Sequence, residues 1–295
     1  MKMAATSIGI VSWGTYVPSQ IETADDVAAA TGIPAEVISQ KMGLVQKHVA
    51  GDDDHCASMA ARAAQQAIER AHIDPNDIDL ILYHGSEYKE HFVWSAATHV
   101  QRLIAAENAA AFELYALCAG TPIALKTARA MMLDDDSLQN VLLVTASREN
   151  DLVHYTNDRA RFMFNFGAGA GALLLQRGHP HNQVLSAAAT SDGSLSKSVV
   201  MQAGGSLQPT TPETVSADLH QIDVSDMQFM RERLGQVSLP NFYKVIDKAL
   251  KSSGHTRADI NFLGLVHMKR SFHAAMLSDL GLTEDQSIYL DHYGH

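Results

Sequence analysis

The stretch that most narrows what this chain can become is Ala109-Ala-Ala-Phe-Glu-Leu-Tyr-Ala-Leu-Cys118-Ala-Gly-Thr. An apolar, strand-like run breaks off at a cysteine, and a helix-forming sequence over 122–132 follows at once. A strand feeding straight into a helix is the building unit of layered α/β folds. The thiol at that junction lies beside the first helical turn, where unpaired N–H groups and the helix dipole favour a thiolate. A thiolate attacks acyl thioesters, so Cys118 is a candidate nucleophile. The competing reading is a buried, inert core cysteine.

The same alternation runs along the rest of the chain. Residues 8–12, 78–83, 141–146 and 261–266 read as strands. Residues 24–30, 35–42, 58–71, 93–103, 225–234 and 241–252 read as helices. Small residues over 166–171 lead into an apolar strand, and 177–183 reads as the joint between two halves. The segment 202–226, rich in Gly, Thr, Pro and Ser, reads as a loop over a site. There is a faint internal echo: helix, turn, Asp77-Ile-Asp, strand, His84 is matched by helix, turn, Asp259-Ile-Asn, strand, His267. The offset is 182 residues at the aspartates and 183 at the histidines, which points to two similar halves, 1–176 and 177–295.

With 295 residues, 46% of them hydrophobic, the chain can bury a large core. No apolar run approaches the ~20 residues that span a bilayer. The N-terminus lacks the order of a signal peptide, so a cytoplasmic protein without membrane attachment is expected. Two cysteines, Cys56 and Cys118, make no disulfide framework or zinc motif. The fifteen histidines are scattered without a ligand spacing, and no metal site is expected. A net charge of −11 and the lack of a basic stripe argue against nucleic acid. An acidic carrier or a phosphate-bearing ligand would need a local basic patch, for which Lys41 with Lys47 or Lys269 with Arg270 are candidates.

Several motifs, taken in order, resemble those of the thiolase-fold condensing enzymes, most closely the 3-oxoacyl-(acyl-carrier-protein) synthase III group. Leu117-Cys118-Ala-Gly120 is similar to the nucleophile motif, and Phe164-Asn-Phe-Gly167-Ala-Gly169-Ala-Gly171 to the glycine-rich strand. Ser191-Asp-Gly-Ser194, then Ala203-Gly204-Gly205-Ser206 and Pro209, resemble the opening of the second half. Leu265-Val-His267 stands where the family carries a catalytic histidine, and Tyr293-Gly-His295 where it carries Gly-Asn. The resemblance implies a five-layered αβαβα arrangement of two similar halves and a homodimer. It implies acyl-carrier-protein or coenzyme A thioesters as substrates and no resident cofactor. Catalytic roles fall on Cys118, His267 and His295, with Gly204 and Gly205 near substrate. After His295 the family continues with a helix, closing strands and a glycine loop, so the C-terminal part of the fold is expected to be missing from this sequence.

The expected reaction is acylation of Cys118 followed by condensation with a malonyl thioester to give a 3-oxoacyl product. An imidazole or amide N–H can donate to the developing enolate oxygen, so His295 in place of asparagine keeps a donor. Other positions depart from the family. Residues 40–47 lack the tryptophan and arginines that hold coenzyme A, and Arg270 replaces an asparagine that touches the pantetheine arm. Val93 stands where a gating phenylalanine is usual. Glu87 occupies a place similar to the general acid of hydroxymethylglutaryl-CoA synthases; its bland alternative is a surface-loop carboxylate. Non-condensing transfer to an alcohol or amine, aldol chemistry with Glu87 as acid, and a non-catalytic partner subunit are the competing functions.

Overall fold

Consecutive apolar residues on β4 (Leu80–Gly85) and β6 (Asn140–Ser147) need cover on both faces, and the fold is built around that need. The computed structural model describes residues 7–295. A five-stranded sheet runs β1-β7-β6-β4-β5, with β1 at Ile8–Tyr16, β5 at Ala110–Tyr115 and β7 at Gly169–Arg177. β4, β5 and β6 are mutually parallel, whereas β7 is antiparallel to both β6 and β1. Two smaller antiparallel pairs are β2 (Gln20–Thr23) with β3 (Gln46–Val49) and β8 (Val199–Met201) with β9 (Ile222–Val224).

The period of two along each central strand splits the core. Ile81, Tyr83, Leu142 and Val144 face α3 (Cys56–Ala71) and α4 (Ala96–Leu103). Leu80, Leu82, Val141 and Leu143 face α5 (Gly120–Asp134) through Ala124, Ala128 and Met132. The buried stripe of α3 is mostly alanine, which lets its backbone lie close on the sheet. At Gly14 on β1 an added Cβ would meet Ala63 O at 2.0 Å, so that approach requires glycine. A third cluster, Val27, Ile38, Leu44, Met163 and Phe164, joins α1 (Ala24–Thr31) and α2 (Ala35–Val37) to the segment before β7. The rest of the chain adds α6 (Pro212–Ser216), α7 (Met227–Ser253) and α8 (Arg270–Leu280). Among the described residues no helix is long and apolar enough to cross a membrane.

Three expectations are corrected. The helices expected over 225–234 and 241–252 are one, α7, which continues through Pro240. Proline deprives the carbonyl of Gln236 of its helical partner, but Gln236 and Pro240 lie on the exposed face, where water can replace that bond. The strand expected over 261–266 pairs only through the Leu263–Ser287 bridge, because no neighbouring strand runs alongside it. The helix expected from 93 starts at Ala96: Ser95 caps it, and Val93 takes a left-handed φ of 52°. The internal echo persists as local structure. A capping box at Asp74 precedes β4 and His84, and one at Thr256 precedes the extended segment and His267.

A buried ion pair ties the edge strand to α4. Glu113 on β5 accepts from Lys89 and, at 2.5 Å, from the N–H of Ala96 at the start of α4. Lys89 is 5% exposed, so removing its partner would leave a buried, unpaired ammonium. Glu113→Ala is expected to destabilise the fold by about 3–5 kcal/mol, read from the denaturant midpoint. Glu113→Gln keeps the helix cap and should lose less.

Candidate active site

Parallel strands deliver their C-terminal ends to one edge of the sheet, where α/β proteins place their chemistry. Gly85 pairs with Tyr115 across β4 and β5, and three residues beyond Tyr115 the chain reaches Cys118. Cys118 occupies a single 3₁₀ turn, Leu117–Ala119, between β5 and α5. Leu117 is held at a left-handed φ of 48°, a strained state for a branched side chain that turns the backbone sharply ahead of the thiol. The first turn of α5 has no side-chain cap.

The opposing wall comes from the far end of the chain. The segment ending at His295 is sewn onto the first half of the chain by backbone bonds. The N–H groups of Val45 and Gln46 donate to Asp291 O at 2.7 and 3.1 Å, and that of His48 to Tyr293 O at 3.3 Å. His295 N–H donates to Asn165 O at 2.8 Å, and Gly167 N–H donates to His295 O at 3.0 Å. The His295 ring stacks on Phe166 with centroids 4.8 Å apart.

That placement puts His295 Nε2 3.2 Å from Cys118 Sγ, while Nδ1 lies 2.5 Å from the carbonyl oxygen of His267. A carbonyl can only accept, so Nδ1 carries the hydrogen; in the neutral ring Nε2 then presents a lone pair to the thiol. His267 obeys the same logic with the opposite outcome. Its Nε2 donates to Gly43 O at 3.0 Å, and its Nδ1 is buried without a partner. Gly43 has a φ of 74°, and an added Cβ would meet the Tyr289 hydroxyl at 1.8 Å; the Tyr289 ring in turn packs on His267. The structure thus brings Cys118 and His295 into direct contact. His267 reaches His295 through its backbone, and its ring faces Gly43.

The electrostatics differ from a simple helix-dipole picture. Burial pushes the Cys118 thiol up, opposed by its own backbone N–H, and the Glu149 carboxylate adds to the rise. Burial lowers His267 to about 4, as it does His84, whose ring lies beneath Gly120 at the base of α5.

The other expected residues lie further out. Glu87 is exposed on the loop after β4, and the buried carboxyl at this end of the sheet is Glu149. Val93 is fully exposed on the same loop. Arg270 opens α8, pairs with Asp291 at 2.9 Å and covers the Tyr289 ring, bracing the terminal segment. Gly204 and Gly205 lie in a surface turn closed by a 2.9 Å bond from Gly204 N–H to Gln208 O. Lys47 is corrected as a phosphate-binding candidate: it is 1% exposed, donates to Phe164 O and pairs with Glu22. A cavity of about 350 Å³ lined by Trp13, His84, Thr121, Leu143 and Thr145 touches neither Cys118 nor His295. Among the described residues no cluster of ligating side chains could hold a metal ion.

Comparison with known proteins gives this geometry its family. The model for 3-oxoacyl-[acyl-carrier-protein (ACP)] synthase III matches residues 112–193. The beta-ketoacyl-[acyl-carrier-protein] synthase III of Acaryochloris marina is 32% identical over 269 residues, covering 90% of this chain and 77% of that protein. The chain belongs to the beta-ketoacyl-[acyl-carrier-protein] synthase III family. The synthase III of Caldanaerobacter subterraneus is 30% identical and covers 97% of this chain and 84% of its own length. The 3-oxoacyl-[acyl-carrier-protein] synthase III structure from Aquifex aeolicus shares the thiolase-like fold: TM-score 0.82, 21% identity, 98% of this chain and 86% of that one. The chain is therefore a condensing acyltransferase that forms 3-oxoacyl products.

Glu149 belongs to no motif, although it follows a predicted strand by only three residues. A carboxylate just past the C-terminal end of a parallel strand is the signal that could have found it.

Buried neutral histidines make the fold acid-sensitive. His84 and His267 titrate near 4 when folded, so below 6.5 the unfolded chain takes up their protons first. Stability is full above pH 6.5 and falls as the pH drops toward 4, by at most about 3 kcal/mol for each ring. His84→Asn is expected to flatten that slope, measured as the urea midpoint across this window.

Proposed function

We propose that Cys118 and His295 form a nucleophile–base pair that accepts an acyl group from a thioester. The 3.2 Å Sγ–Nε2 contact, with the tautomer set by the His267 carbonyl, carries this reading. His295 Nε2 takes the thiol proton as the sulfur attacks the thioester carbon, and returns it to the departing thiolate. The Cys118 N–H supplies one donor to the tetrahedral oxyanion. A malonyl thioester then loses carbon dioxide, and its enolate attacks the acyl-enzyme; the new carbon–carbon bond forms as the Cys118 sulfur leaves. His267 serves the enolate oxygen by exchanging Gly43 O for it as the acceptor of its Nε2–H.

Several finer points complete the proposal. The substrates are coenzyme A or acyl-carrier-protein thioesters, and no resident cofactor takes part. Lys47 is buried, which leaves the exposed Lys41, and Lys269 with Arg270 at the start of α8, as the basic candidates for an acidic donor. The two halves are 1–176 and 177–295, supported by the repeated capped-turn unit ahead of His84 and His267. Dimerisation through the free edge of β5 is supported by Phe112, Phe92 and Val93, all exposed close to that edge. The cytoplasm is the location that chemistry on malonyl and acyl thioesters calls for.

Intact-protein mass spectrometry with a panel of acyl thioesters tests the reading. Wild type should gain the acyl mass and Cys118→Ala should not; an acylated Cys118→Ala would refute the nucleophile. His295→Asn, which cannot take a proton, should slow acylation by about 10²-fold. His267→Ala keeps the backbone carbonyl that orients His295, so it should slow condensation far more than acylation in single-turnover measurements.

A further inference from the structure

Glu149 is a buried carboxyl to which the proposed reaction gives no role. It lies just beyond the C-terminal end of β6, whose neighbours are β4 and β7. Ser147 pairs with Gly169 on β7, and two residues before Gly169 the N–H of Gly167 is bonded to His295 O. That path links the turn carrying Glu149 to the His295 backbone, at the end of the sheet to which β4 and β5 lead Cys118. Its Oε2 accepts from the Ser147 hydroxyl, while Oε1 is buried with no partner among the described residues. Burial raises the Glu149 carboxyl above the usual carboxylate range, opposed by the Ser147 hydroxyl, by the N–H groups of Glu149 and Arg148 and by His295.

The surroundings leave this charge uncompensated except by His295. From its own turn, the Arg148 guanidinium is occupied by Asp151 and by Asp54 O, at 2.7 and 3.0 Å. From α3, Cys56 is pushed up to about 12 and stays a neutral thiol bonded to Tyr88 O. From the loop after β4 comes another carboxyl, Glu90, bonded to Ala57 N–H at 2.7 Å, together with Tyr88, whose hydroxyl burial raises. The cation of that loop, Lys89, is engaged by Glu113 on β5. Tyr115, also on β5, is raised by burial and then by Glu87 and Glu149. None of these neighbours brings an unengaged positive charge to Glu149, and a proton arriving on His295 supplies one.

We propose that Glu149 is a positioning residue of the active site, whose carboxylate holds the transferred proton on His295 and so sets when the Cys118–His295 pair is charged. This rests on His295 being the base for Cys118. An anion facing both members makes the thiol harder to ionise and the imidazolium harder to discharge, so it moves both steps toward higher pH. The carboxylate makes no contact with substrate; it acts through His295.

Alkylation of Cys118 by iodoacetamide, followed by peptide mass across pH, tests the proposal without any substrate. Glu149→Gln keeps an acceptor for Ser147 and removes the charge. Its profile should move to lower pH by roughly half to one unit, while Glu149→Asp, which keeps the charge, should stay with wild type. A Glu149→Gln profile that loses height without moving, or a Glu149→Asp profile displaced as far as Glu149→Gln, would overturn it. His295→Asn separates the two levels. Alkylation unchanged in that variant would remove the base itself, and this proposal with it; slowed alkylation there with an unmoved Glu149→Gln profile defeats the Glu149 role alone.

Discussion

One backbone carbonyl decides what His295 can do. Because the oxygen of His267 sits 2.5 Å from Nδ1, the ring must carry its hydrogen there, and Nε2 is left facing the Cys118 sulfur as an acceptor. With the hydrogen on the other nitrogen, the same ring would donate to the sulfur and could take no proton from it. The contact therefore converts two nearby side chains into a directed pair. An asparagine at this position would have no such option, since an amide cannot act as a base at neutral pH.

Holding that carbonyl in place occupies much of the surrounding structure. The His267 ring is anchored to Gly43 O, Gly43 is pressed against Tyr289, and Tyr289 returns a hydrogen bond to Met268 O. Arg270 covers Tyr289 and grips Asp291, whose carbonyl receives two N–H groups from the start of β3 and the residue before it. Each of these groups touches either His267 or the terminal segment, which turns at 291–293. The arrangement spreads the positioning of one imidazole over residues from 43 to 295. Local strain at Leu117 supplies the matching constraint on the sulfur.

Much of this could be read in the sequence where a local rule governs. The strand-to-helix junction at Cys118, the continuous apolar core strands and the alanine-faced α3 all follow from local pattern. The motif order located Cys118, His267 and His295, separated by as many as 177 residues in the chain. What stayed hidden depends on partners that sequence does not name. Lys47 reads as surface charge, yet its ammonium is buried against Glu22 and Phe164 O. Residues 261–266 have strand composition but only one bridging neighbour, and Pro240 reads as a break although solvent on its exposed face makes the helix tolerable. Glu87 attracted attention by analogy while Glu149, the carboxyl that is buried, sat in an unremarked Ser-Arg-Glu-Asn. The tautomer of His295 belongs to the same class, since it is fixed by an oxygen 28 residues away.

Imidazole ¹⁵N NMR of His295, assigned by its loss in His295→Asn, tests that tautomer most directly. At a pH where the ring is neutral, the account predicts the hydrogen on Nδ1, with Nε2 resonating as a bare acceptor. A neutral ring protonated on Nε2 would contradict it, because that nitrogen could not then receive the thiol proton.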